Sequence, residues 1–472
     1  MRQNDLSMKS AAPPRLAIVG GGFSGTMTAV HLLKSARGPL DLHMVERKPA
    51  WGRGVAYGTR YGSHLLNVPA AKMSAFPSDP DHFFRWLQAH PELLSAPPQP
   101  GMFAPRKVYG AYIQSLLAEA EAQAPVEVQV TQWTDEAIDL HVVDDHGRLV
   151  LESGATIDVD TVILAIGNFP PGHPHLADRG FFASDRYVGD PWVKGNLDAV
   201  KPDDSVLLIG SGLTALDLVL GMRERGHQGE VHMLSRRGQL PQRHQPSEAY
   251  PPYLDGELPR TIRELVKRVR AELAWAAQKG VDWRPVLDAL RPRTQEIWRA
   301  LPLREQRRFL DHVRPYWEVH RHRMPPDAAA LGEEMLASGR LHLHSARLLS
   351  MEEKGDAVAV RFRTRGAEEE KTISVQRVIN CTGPECDYRR MRHPLAASLL
   401  GQGLVRPDDL ALGLDTDSRG ALVDAEGNVS GLLYTLGPLR KGTLWETTAV
   451  PEIRVQAEQL ASELLTRQAV GV

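Results

Sequence analysis

Two short glycine-rich stretches hold the residues whose types and spacing could do chemistry. The first is Gly20-x-Gly22-x-x-Gly25. In such a turn the first glycine permits the tight bend. The second lets backbone approach a pyrophosphate, and the third lets helix and strand pack closely. Phe23 and Ser24 open the helix that follows, whose N-terminus carries partial positive charge toward a phosphate. Downstream, Glu46 can accept hydrogen bonds from ribose hydroxyls, with Arg47 beside it. The plain alternative is a turn used only for packing. The second stretch is Gly210-x-Gly212-x-x-Ala215, enclosing Leu213 and Thr214. Here Ser235 stands where the carboxylate would be, followed by Arg236 and Arg237. An acid would repel a 2′-phosphate, whereas arginine pairs with it through two hydrogen bonds, so this site favours NADPH over NADH.

The elements that must position these turns are legible. Arg15-Leu-Ala-Ile-Val-Gly20 reads as a buried strand, an apolar-periodic helix runs to about Lys34, and Leu40-Asp-Leu-His-Met-Val-Glu46 is a second strand. The same βαβ pattern recurs as Ser205-Val-Leu-Leu-Ile-Gly210, a helix from Leu216 to Arg225, and Glu230-Val-His-Met-Leu-Ser235. Aligned, His43-Met-Val-Glu-Arg47 falls beside His232-Met-Leu-Ser-Arg236. Two further apolar strands end in Gly167 and Gly383. The stretch 257–339 is Arg-rich and reads as helical, and 341–382 alternates like strands that return to the first domain. The predicted fold class is α/β, with two Rossmann-type dinucleotide-binding domains. Residues 1–14 are a disordered lead-in. Residues 15–190 are the first part of an FAD domain, and 191–345 an inserted NADPH domain with the helical insertion 257–339. Residues 346–472 are the second part of the FAD domain.

Composition narrows the function classes. The chain is 42% hydrophobic and 24% charged with net charge −2. That balance offers no field for nucleic acid or an anionic membrane. No apolar run reaches the roughly 18 residues of a membrane span, and no signal peptide is evident. Cys381 and Cys386 are the only cysteines, which gives no disulfide scaffold and no zinc site, so metal ligation is not expected. A cytoplasmic location is expected. Two dinucleotide sites on one chain imply electron flow from NADPH to FAD and onward. The recipient can be a redox disulfide, a protein acceptor or dioxygen. Cys381 and Cys386 follow a late strand rather than the first βαβ unit, which argues against a catalytic disulfide.

The chain resembles the bacterial FAD/NAD(P)-binding proteins called YdhS-like, which are related to class B flavin-dependent monooxygenases. The resemblance rests on Gly52–Tyr57, Leu65–Ser74, Phe103–Gly110, Gly210–Asp217, Leu234–Gly238, Arg321–Arg323 and Gly437–Arg454. The class B linker fingerprint Phe-x-Gly-x-x-x-His-x-x-x-Trp survives at its ends only, as Phe182 and Trp192, with Ser184 and Val188 inside. The resemblance implies that 67–74 runs beside the isoalloxazine, with Asn67, Val68 and Met73 contacting cofactor. Asn67, Lys72 and Arg323 are the implied catalytic residues. Arg106 would bind the FAD pyrophosphate, and 437–446, including Gly437, Trp445 and Glu446, would close over the flavin ring. Trp317, Arg321, His322 and Arg323 would face substrate.

The resulting expectation is an FAD-containing, NADPH-dependent monooxygenase. It would hydroxylate a small polar substrate, an amine or a purine-like ring, with dioxygen through a flavin C4a-hydroperoxide. Two competitors remain: an NADPH:acceptor reductase and a non-catalytic flavin-binding redox sensor. The sequence does not address oligomeric state.

Overall fold

The structure is a computed structural model that describes residues 12–143, 146–391 and 393–470. Most of the expected lead-in, residues 1–11, lies outside the described residues. The first sheet has six strands in the order Ala421–Val423, Val429–Thr435, Thr161–Leu164, Arg15–Val19, Leu40–Glu46, Val128–Thr134. Its centre is parallel, with Leu16–Val19 in register with Leu42–Val45 on one side and Thr161–Leu164 on the other. Such strands are covered on both faces, which is why Leu16, Ala17, Ile18 and Val19 form an unbroken apolar run. Helix Phe23–Ser35 covers one face and is itself packed by the final helix Val450–Val470. A small antiparallel sheet, Ala137–Val143, His146–Leu151 and Thr156–Val159, leads back into Thr161–Leu164.

The second sheet has seven strands: Glu370–Val375, Ala357–Thr364, Leu341–Lys354, Val231–Ser235, Val206–Ile209, Arg377–Asn380 and Tyr187–Val188. This corrects the expected boundary at 346. Strands 341–380 do not return to the first domain. Leu341–Lys354 pairs in parallel with Val231–Ser235, and Arg377–Asn380 pairs with Val206–Ile209. The chain re-enters the first domain only after residue 380. Alternating polarity identifies strands but cannot say which sheet they join.

The stretch 257–339 is helical, but it serves two cores. Helix Pro326–Ala337 buries Ala328, Ala329 and Met335 against Leu216 and Leu218, so it belongs to the second domain rather than to an insertion. The preceding helices, from Ile262–Gln278 to Arg314–Arg321, form their own clusters and lean on the first domain. Ile262, Trp298 and Phe309 pack with Leu412 and Trp445. Trp298 Nε1 donates to the Gly442 carbonyl at 2.7 Å, and Arg291 pairs with Glu452 at 2.8 Å. Among the described residues, no helix is long and apolar enough to cross a membrane.

Candidate dinucleotide sites and the cleft between them

The two glycine turns are built alike. Gly20 has φ +112° and Gly210 φ +121°. A Cβ on Gly20 would lie 2.4 Å from the Ala165 carbonyl oxygen, and one on Gly210 2.3 Å from that of Cys381. Only glycine fits either bend. At Gly25 a Cβ would fall 2.0 Å from the Gly20 oxygen, whereas Ala215 holds the matching place in the second unit. The middle glycines differ in kind from these. Gly22 has only Gly54 Cα within 4 Å of a would-be Cβ, at 3.6 Å, and Gly212 has nothing within 4 Å. Protein packing does not demand glycine there, and the space beside both is open, as a diphosphate-binding turn requires. Gly22 and Gly212 cap helices Phe23–Ser35 and Leu213–Glu224 without any side-chain hydrogen bond, so the first-turn N–H groups stay available. Gly167 and Gly383, both at positive φ, also border open space.

The units diverge where their second strands end. Glu46 Oε2 accepts the Gly21 N–H at 2.7 Å and Oε1 accepts the Lys48 N–H at 3.1 Å. Ser235 fills the same role by a smaller group: its Oγ accepts from Ser211 Oγ at 2.8 Å and from the Gly238 N–H at 3.0 Å. Arg47 is exposed beside the first turn. Beside the second, Arg236 and Arg237 line a cleft of about 350 Å³ with Leu310, Asp311, Arg314, Pro315 and Arg365. Arg237 donates to Tyr316 Oη at 2.9 Å and lies over its ring. Arg314 and Arg365 were missed in the sequence because the insertion and the 364–370 turn reach this spot only through the fold.

Arg106 does something other than the expected pyrophosphate contact. Its guanidinium meets Asp217 of helix Leu213–Glu224 at 2.7 Å, donates from Nε to the Leu65 carbonyl at 2.9 Å, and lies over the Trp192 ring. It therefore braces the first domain on the second. Burial pushes the Asp217 carboxyl up to about 6, with Arg106 acting against that shift. His64, packed on Trp192 and Tyr61, joins this contact, and burial pushes it down to about 4. Ser63 and Gly62 N–H groups donate to Glu224. Phe182, the other end of the linker fingerprint, stacks on His173 instead.

Loop 65–74 is held at both flanks. The Leu66 N–H bonds Ala104 and the Ala70 N–H bonds Met102, while Arg454 Nη1 donates to the Ser74 carbonyl at 2.7 Å. Ala70 and Met73 are buried in the first core and Val68 packs against it. Asn67, half-buried, makes no side-chain hydrogen bond among the described residues, so its amide is available for a ligand. Lys72 is exposed. His244, missed in the sequence, packs on Phe103 with ring centroids at 5.1 Å. Burial, then the charge of Arg323, pushes His244 down to about 4, with Lys72 contributing.

Arg323, expected to be catalytic, is instead buried and committed. It pairs with Asp288, donates to the His320 carbonyl and lies over Trp283, with Nη1 alone unpartnered. The segment 437–446 begins against the helix of the first unit: a Cβ at Gly437 would fall 2.9 Å from Ser24 Oγ. Trp445 has φ +60° and points away into Trp298 and Phe309, so it packs the insertion down. Glu446 accepts from Trp317 Nε1 at 3.0 Å and faces Arg321 at 3.5 Å. Its burial would raise its pKa, but Arg321, His322 and Trp317 together hold it below the usual carboxylate range. Trp317, Arg321 and the buried Glu446 thus form one polar joint between the insertion and the first domain.

Cys381 is buried under the second turn, where burial pushes its thiol up, and Cys386 is a separate free thiol.

Residues 17–169 match the family described as FAD-NAD(P)-binding. No curated protein matches by sequence. Several solved structures share the fold along nearly the whole chain. One is the ornithine N-hydroxylase of Kutzneria sp. 744, solved with FADred, NADP+ and L-orn (TM-score 0.65, 13% identity, covering 97% of this chain and 100% of that one). Another is L-lysine 6-monooxygenase from Pseudomonas syringae (TM-score 0.62, 16% identity, 96% and 99% covered). A third is bacillithiol disulfide reductase from Staphylococcus aureus (TM-score 0.57, 12% identity, 97% and 99% covered).

Proposed function

We propose that this chain is an FAD- and NADPH-dependent monooxygenase that N-hydroxylates a small amine. The observation that carries the two-cofactor part is the paired turns. Each has a middle glycine facing open space, but one ends in Glu46 and the other in a four-arginine cleft. Glu46 suits the ribose of FAD, and Arg236, Arg237, Arg314 and Arg365 suit the 2′-phosphate of NADPH. When bound, FAD supplies a two-electron relay between NADPH and dioxygen. The balanced reaction is RNH2 + O2 + NADPH + H+ → RNHOH + H2O + NADP+.

The chain's own residues bind, orient and exclude water. Gly22 and Gly212 admit the diphosphates. The Trp298–Phe309–Trp445 cluster packs the helical insertion onto segment 437–446, and that cover would exclude water from the first unit. Asn67 offers an unpaired amide for the ring or the nicotinamide. His244, held neutral, adds no positive charge to Lys72, so a cationic amine is less strongly repelled there. Oxygenation of an amine, rather than of a purine-like ring, is supported by the fold shared with the ornithine and lysine enzymes.

The disulfide reductase of the same fold keeps a second reading alive: NADPH:acceptor reduction without oxygenation. The two are separated by supplying the FAD-loaded protein with NADPH, dioxygen and a panel of diamines and basic amino acids. The monooxygenase predicts that one of these suppresses peroxide release and yields a hydroxylamine in step with NADPH consumed. Full recovery of reducing equivalents as peroxide with every amine would overturn it.

A further inference from the structure

Three histidines that are far apart in the chain meet at one end of the second sheet. His232 on Val231–Ser235 pairs in register with His342 on Leu341–Lys354, and Leu234 pairs with His344. Because strand side chains alternate with period two, all three rings stand on the same face. They stack, His232 on His342 at 4.6 Å and on His344 at 5.3 Å. Glu230, at the mouth of the strand, sends Oε2 to within 3.3 Å of His342 Nε2 and 3.6 Å of His232 Nε2. Its ion-pair contacts among the described residues are these two rings alone, with no arginine or lysine competing.

The distances fit a particular ligand. A tetrahedral ion with bonds of about 2.0–2.1 Å to N and O has ligand-to-ligand edges of about 3.4 Å. The three atoms all lie within 4.8 Å of one another, and the two edges through Glu230 bracket that value. His342 Nε2 is buried and makes no hydrogen bond; it faces only the Glu230 carboxylate oxygen at 3.3 Å among the described residues, a spacing that lets both atoms hold one ion. His232 Nδ1 lies 3.1 Å from His344 Nε2. A proton on that Nδ1 leaves the His232 Nε2 lone pair free, the outer-partner arrangement seen around metal-bound imidazole.

The first domain supplies an internal control. His43 occupies the place of His232, and Asp41 that of Glu230, at 3.3 Å. There the neighbouring strand sets Gln129 and Thr131 opposite, and Trp133 Nε1 donates to His43 Nδ1 at 3.2 Å. Two ligands are present and the third is not.

We propose that Glu230, His232 and His342 bind a divalent ion of the zinc, cobalt or nickel class, with water in the fourth position and His344 orienting His232. Imidazole with one carboxylate suits these ions rather than magnesium or calcium. The site sits at the start of both strands, and the second glycine unit's Arg236–Arg237 turn follows the far end of Val231–Ser235. The ion would staple Val231–Ser235 to Leu341–Lys354 and take no part in redox chemistry.

The test uses the full FAD-loaded protein after chelator treatment and CoCl2 or ZnCl2 alone. One equivalent of Co2+ should give tetrahedral absorption bands to the red of flavin, displaced by Zn2+. Zn2+ should raise the melting temperature of the unaltered protein. His342→Ala and Glu230→Gln, both at accessible positions, should lose that rise and at least about tenfold in affinity. The rate of flavin reduction by NADPH should stay the same in both. Absence of saturable one-equivalent binding, or binding undiminished in His342→Ala, would overturn the proposal.

Discussion

The two glycine-turn units are near-copies in backbone and differ in side chains, and the differences carry the proposed assignment of their ligands. Both bend at a glycine that no other residue could replace, Gly20 against Ala165 and Gly210 against Cys381. Both present a bare middle glycine to open space. In the first, Glu46 at the end of the second strand accepts the Gly21 N–H; in the second, Ser235 accepts from Ser211 Oγ, and the charge beside it is reversed by arginines. Geometry is thus shared, and the proposed nucleotide choice rests on a few polar groups. The same pairing explains why His43 and His232 have different neighbours: the strand beside each belongs to a different, unrelated part of the chain.

The comparison breaks most sharply at the middle glycines. Gly22→Val should leave the protein folded, since its Cβ meets only Gly54 Cα at 3.6 Å, yet yield colourless protein that FAD does not restore. Gly212→Val should keep bound FAD but abolish its reduction by NADPH. Visible spectra of the two purified variants check both, and loss of FAD from Gly212→Val would contradict the division of labour.

The charge reversal comes next. Arg236→Ala should weaken NADPH by about 1.5–3 kcal/mol, roughly 10- to 150-fold, with little change for NADH. Apparent constants for flavin reduction by each nucleotide measure this. Arg365→Ala should act in the same direction, because it lines the same cleft.

A third effect concerns the joint between the domains rather than their interiors. Burial pushes His31, His64 and His244 each down to about 4. They are neutral in the folded chain and take up protons near pH 6.5 when it unfolds. The stability linked to that neutrality is present above pH 6.5 and lost as pH falls toward 4. Melting temperature should therefore drop over that window. His64→Gln and His31→Gln should each shrink the drop, but only His64→Gln, at the contact of Trp192 with helix Leu213–Glu224, should also disturb the domain contact.

The smallest effect is expected at the thiols. Cys386→Ser should not change NADPH-driven flavin reduction, and two electrons should suffice to bleach the flavin in anaerobic titration. A requirement for four would reinstate a redox disulfide.

The sequence made both βαβ units legible because parallel central strands must be apolar on both faces and the turns need glycine at fixed spacing. It also pointed to Glu46, Ser235 and the Arg236–Arg237 pair, all local to those units. What it could not reveal depends on long-range pairing. Strands 341–380 alternate as strands of either domain would, so their membership in the second sheet was invisible. Arg106 carried a plausible phosphate role until Asp217, distant in sequence, was seen to occupy it. Arg323 was read from its neighbours in the chain, while Asp288 and Trp283 fix it in space. Arg314, Arg365, His244 and His342 reach their clusters only through the insertion and the second sheet.

The central claim is that FAD occupies the first unit and NADPH the second, within reach of one another. Anaerobic stopped-flow mixing of the FAD-loaded protein with each nucleotide tests it most directly. The account predicts full bleaching by one equivalent of NADPH, at a rate well above that with NADH. Equal rates with both nucleotides, or no bleaching by either, would contradict it.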